Sequence, residues 1–85
     1  MNDTLFEKTI TDYVRGDLGL TAIQRGRADV RHHGSVVGVV WQGVVSERWY
    51  GQLASGSMVG VPNGYPTRRI ALFELAYAHT GGTPA

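Results

Sequence analysis

An α+β fold is what this 85-residue sequence predicts: an N-terminal amphipathic helix, a three-stranded antiparallel sheet and a C-terminal helix. Three observations carry it. Apolar residues recur at helical spacing over about residues 4–15 and again over about 67–80. Between them lies a β-branched run, Val36 to Val45, followed by an alternating stretch from Glu47 to Ala54. Glycine and proline punctuate the joints at Gly16, Gly43, Gly56, Pro62, Gly64 and Pro66.

The first helix is expected from Thr4 to Arg15. Thr4 and Glu7 have the spacing of a capping box, in which each satisfies a free backbone donor of the first turn. Leu5, Phe6, Ile10, Tyr13 and Val14 fall on one side and would form the packing face. Gly16 stands where a left-handed residue ends the helix. Leu18, Leu20 and Ile23 could add one more helical turn, although Gly19 and Gly26 oppose it. Arg25 to His33 reads as a polar strand or an ordered loop.

The first predicted strand, Val36 to Val45, is apolar almost throughout, so both faces should be covered. In the second, Trp49 and Leu53 share one side, while Arg48, Tyr50 and Gln52 share the other. Met58 to Val61 is a short edge strand stopped by Pro62. Asn63-Gly64 makes a tight turn, and Pro66 keeps Tyr65 extended before the last helix. That helix carries two apolar stripes, Ile70/Phe73/Tyr77 and Leu72/Leu75/Ala76. One sheet cannot cover both, so the second must meet the first helix or another chain. A homodimer through this helix follows as one expectation. Gly81 and Gly82 end it, and residues 1–3 and 81–85 are expected to fray.

Composition bounds the rest. Residues 1–85 make one small domain, near the lower size at which a core supports itself unaided. With no cysteine there are no disulfides, thiol chemistry or thiolate metal sites, and a cytoplasmic setting is the default expectation. No apolar run is long enough to span a bilayer, so no membrane partner is expected. Net charge is +1 but unevenly spread: residues 1–17 hold four acids against Lys8 and Arg15, and the remainder holds six arginines against three acids.

Arginine suits bidentate contacts to phosphate or carboxylate. Arg25, Arg27 and Arg31 form the densest basic segment and could track a phosphate backbone. Arg48, Tyr50 and Gln52 form an alternating face of the kind found at interfaces and nucleic-acid platforms. Trp41 and Trp49, on a plainer reading, are core residues packing against Phe73, Leu53 and Ile10. Arg68 and Arg69 open the last helix against its dipole, where an anion or acidic partner would offset the cost. His32 and His33 are adjacent, so an extended backbone would point them to opposite faces and prevent joint chelation; no metal site or cofactor is expected. The serines lack a nucleophile elbow, no phosphate-binding glycine loop occurs, and no catalytic residues are assigned.

The order β-β-β-α, with Trp49 in the middle strand and Gly64-Tyr65-Pro66-Thr67 leading into a helix containing Ala71 and Ala76, resembles AP2/integrase-type DNA-binding domains over residues 35–80. The resemblance implies a three-stranded sheet entering a DNA groove, and Arg48 and Trp49 are the positions that match that usage. Three functions remain open for a non-enzymatic binding protein. The first is a nucleic-acid-binding regulator. The second is a phage-type protein inhibitor or adaptor that occupies a larger host or defence complex, and the third is a structural homo-oligomeric subunit.

Overall fold

A computed structural model describes residues 3–85 of the chain. Helix α1 (Asp3–Arg15) is followed by β1 (Leu18–Gln24), β2 (Arg27–His32), β3 (Ser35–Gln42), β4 (Trp49–Leu53), β5 (Met58–Val59) and α2 (Arg68–His79). The strands form one antiparallel sheet in sequence order, a plain meander, and both helices pack against one of its faces. The fold is thus α+β with five strands rather than three. Among the described residues, no helix is long and apolar enough to cross a membrane.

The two extra strands come from the segment in which Leu18 to Ile23 could add a helical turn and Arg25 to His33 reads as a polar strand or an ordered loop. The strand alternative holds over Arg27–His32. Leu18 and Leu20 point inward at a period of two, opposite His32 and Val30 of β2. Weak local propensity is overridden here by pairing, as is usual for strands. A two-residue turn, Arg25-Gly26, joins β1 to β2; another, His33-Gly34, joins β2 to β3. Both residues of the second turn have positive φ, 51° and 81°, which matches the right-handed twist of the flanking strands. Two bulges place Ile23 and Val37 as extra residues in β1 and β3, and Val37 is turned into the core.

Against the sheet, α2 buries Ala71, Leu72, Leu75 and Ala76. Leu75 sits so close that a Cβ on Gly38 or Gly51 would lie 3.1 or 2.9 Å from its methyl groups. These two glycines let the helix approach the strands, and they fix which face is closed. On the other side of α2, Tyr13 meets Phe73 edge to face at 5.1 Å, and Phe6 meets Tyr77 at 5.5 Å. Helix α1 therefore covers the Phe73/Tyr77 stripe while the sheet covers the Leu72/Leu75/Ala76 stripe. Both stripes thus meet partners within the chain, apart from Ile70, which stays 38% exposed.

Helix α1 itself is turned from its expected orientation. Thr9 and Asp12 are buried, while Ile10 is 40% and Val14 77% exposed. Since α1 already includes Asp3, Thr4 is inside the helix rather than its cap; the capping position and the expected fraying of residues 1 and 2 lie outside the described residues. The C-terminal segment is docked rather than frayed: Tyr65 donates from its hydroxyl to the Ala85 carbonyl at 2.7 Å, and the Ala85 amide donates to Glu74 at 2.8 Å. Burial first, and the charge of Glu74 second, push the Tyr65 phenol above its ordinary pKa, against a hydrogen bond from the Gly60 backbone.

Candidate binding face and histidine cluster

The second face of the sheet carries no helix. Residues paired directly across antiparallel strands project to the same side, so the register assigns its side chains. Arg27 pairs with Trp41, and Trp41 with Tyr50, giving one row across three strands. The next row is Thr21, Asp29, Val39, Gln52 and Met58. Trp41 and Tyr50 stack with ring centroids 6.1 Å apart and planes 26° from parallel. Tyr50 is held by a hydroxyl–hydroxyl contact to Ser46 at 3.2 Å.

Beside this row lies a shallow depression of about 750 Å³ lined by Arg25, Arg27, Val39, Trp41, Glu47 and Gln52, among others. Two arginines, Glu47 and a half-buried indole are thus brought into one concavity. Beside it the β3–β4 loop projects Val44 and Val45, each 96% exposed.

The remaining arginines go elsewhere. Arg31 shares the open face but lies toward its far end, opposite Gly19 and Val36, and reaches the Gly34 carbonyl. Arg48 precedes β4 and donates to the carbonyls of Asn63 and Gly64, both at 2.9 Å, so it braces a loop. Arg68 and Arg69 stand at the start of α2 on the helical side, where Thr67 caps the helix by accepting from the Ile70 amide. The Arg68 guanidinium lies 6.0 Å from the Trp49 ring, a cation–π contact. Of the eight residues singled out from sequence, Arg25, Arg27, Arg31, Tyr50 and Gln52 share the open face; Arg48, Arg68 and Arg69 do not. Trp41, a core residue on the plainer of its two readings, belongs to that face. The signal for it was its period-two phase with Val39, obscured by the apolar run around it.

On the closed side a second group of polar residues converges. His32 follows Ala28 and Val30 in the inward phase of β2, and its Nε2 lies 2.7 Å from Asp12 Oδ2. His33 Nε2 lies 3.2 Å from the same oxygen. The expectation that adjacent histidines must diverge is overturned because His33 is in the turn, not in a strand. Its left-handed backbone swings the ring back to stack on His32 at 4.4 Å. Backbone bonds lock the junction: the Asp17 amide donates to the Asp12 carbonyl at 2.8 Å, and the His33 amide to the Asp17 carbonyl at 2.7 Å. The hydrogen bond from His32 holds the Asp12 carboxyl below the usual carboxylate range, against burial, with the charge of His33 adding to the lowering. His79 of α2 meets the His32 ring edge to face at 6.0 Å.

Compared with protein families, curated proteins and solved structures, the chain matches none, so its own geometry carries the functional reading.

Proposed function

We propose that this protein is a non-enzymatic module that binds single-stranded nucleic acid on the open face of its sheet. The observation that carries this reading is the Arg27–Trp41–Tyr50 row, a cation and two stacked rings in adjacent cross-strand positions. Bases unstacked from a single strand lie flat on aromatic rings, and arginine beside them meets the phosphates. A duplex hides its base faces, so a shallow aromatic sheet favours the single strand. Arg25 stands beside Arg27 in the same depression, and Arg31 lies farther along β2 on the same face.

Fluorescence titration with labelled single-stranded and duplex oligonucleotides at two salt concentrations tests this. The single strand should bind more tightly, and Tyr50→Ala should weaken it about tenfold, the lower range for one stacked base. Replacing Arg25, Arg27 and Arg31 together with glutamine should lower the salt slope by about 0.7 for each lost contact. No binding at low salt would overturn the reading.

A protein partner is the second reading, and a separate observation favours it. Val44 and Val45 stand almost fully exposed at the loop tip beside the same depression, where an apolar pocket on a larger protein could receive them.

A further inference from the structure

The Asp12, His32 and His33 side chains bring one carboxylate oxygen and two imidazole nitrogens within 4.8 Å of one another. These come from three separate places: the last full turn of α1, the end of β2 and the β2–β3 turn. Two features of the chain set this group apart from a chance surface pairing. Helix α1 turns Asp12 into the interior while Ile10 and Val14 stay outside, reversing what apolar burial alone would select. His33 sits in the two-residue turn, and the positive φ that this turn requires bends its ring back to the carboxylate although it is 56% exposed.

We propose that Asp12, His32 and His33 form a binding site for a divalent transition-metal ion, Zn²⁺ by ligand chemistry. Two imidazoles and one carboxylate are borderline ligands of the kind zinc takes, and the chain has no thiolate to select a softer ion. Tetrahedral zinc with bonds near 2.0–2.2 Å sets its ligand atoms about 3.3 Å apart. The His33–Asp12 separation of 3.2 Å already meets this, and the His32–Asp12 separation of 2.7 Å needs to open by roughly half an ångström. The ion takes the place of the hydrogen bonds that now join the three groups, and both nitrogens coordinate through Nε2. Asp12 and His32 are buried and His33 is on the solvent side, so the fourth position opens toward water. Such an ion staples α1 to the sheet, a role suited to a cysteine-free domain of this size.

The test uses the tag-free full chain, stripped with chelator and titrated with Zn²⁺ by calorimetry and thermal melting. One ion per chain should bind, and Tm should rise by about 10 °C or more at a hundredfold excess over Kd. Co²⁺ should give the intense visible bands of a four-coordinate site. Because Asp12→Asn leaves a buried mismatch that also acts on folding, His33→Gln, at an exposed position, is the decisive variant. It should keep the wild-type circular dichroism, lose about a hundredfold or more in affinity, and lose the cobalt bands. His79→Gln should retain both. Absence of a zinc response in the wild type, or equal affinity in His33→Gln, would overturn the site, leaving Asp12 and the two histidines as a hydrogen-bonded structural cluster.

Discussion

The two faces of one sheet differ here more than the strands that make them. On the closed face Ala28, Val30, Gly38, Val40 and Val59 are almost fully buried under α2. On the open face Val39 and Trp41 of the same β3 strand are only partly covered, beside Arg27, Tyr50 and Gln52. Strand β3 is apolar on both sides, yet just one side is packed. The open face sets partly covered apolar side chains beside Arg27, while a closed face built on two glycines fixes the helix distance.

The sharpest way to break that contrast is to add one methyl group on the closed face. A Cβ at Gly38 would lie 2.5 Å from the Gln52 carbonyl and 3.1 Å from Leu75. Gly38→Ala should cost about 1–3 kcal/mol through overpacking, because a backbone carbonyl cannot yield as a flexible side chain does. Its neighbour Val39, on the open face, loses two methyl groups in Val39→Ala yet should cost about 1 kcal/mol or less. Urea denaturation of both variants compares the two faces directly. Equal costs would mean that the open face is packed as tightly as the closed one.

Much of this arrangement is legible in the sequence, and what is not has a physical cause. Both helices follow from apolar periodicity, and the split of Trp49 and Leu53 from Tyr50 and Gln52 follows from the two-residue period of β4. Strands β1 and β2 do not stand out, because Arg25 to His33 is polar on its exposed phase and glycine-flanked, and its stability comes from pairing with β3. The orientation of α1 fails to follow from hydrophobicity because Asp12 is drawn inward by His32 and His33. That attraction becomes visible only once His33-Gly34 is recognised as a two-residue turn with positive φ. The Ala28, Val30, His32 phase was the available cue for an inward histidine.

Tyrosines sharpen the comparison through pH. Tyr65 is buried on the helical side and its phenol ionises above the ordinary value near 10, with burial the first cause and Glu74 the second. In the unfolded chain it ionises near pH 10. Below that pH both states are protonated and this group adds no pH dependence. As pH climbs past about 10 the unfolded state loses its proton first, so stability falls until the folded phenol ionises too. Tyr65→Phe removes this contribution along with the hydrogen bond to Ala85. It should cost about 0.5–1.5 kcal/mol at neutral pH and then lose less stability than wild type between pH 9 and pH 11. Urea melts at the two pH values read the difference; parallel losses would place the alkaline sensitivity in other groups.

The smallest effect is expected at the most exposed apolar residues. Val44 and Val45 contact little within the chain, so Val44→Ser with Val45→Ser should change stability by no more than about 0.5 kcal/mol. Their exposure nevertheless divides the readings of the open face. If the aromatic row is the recognition surface for a single strand, this double variant keeps its oligonucleotide affinity while Tyr50→Ala loses it. If the loop tip inserts into a protein partner, the order reverses: nucleic-acid binding is weak throughout, and the double serine variant alone abolishes partner capture. Melting across a concentration series adds a third discrimination. A wild-type Tm that rises with concentration and a double variant whose Tm does not would mean that the two valines bury against another copy of the chain, and the open face would then be an assembly surface.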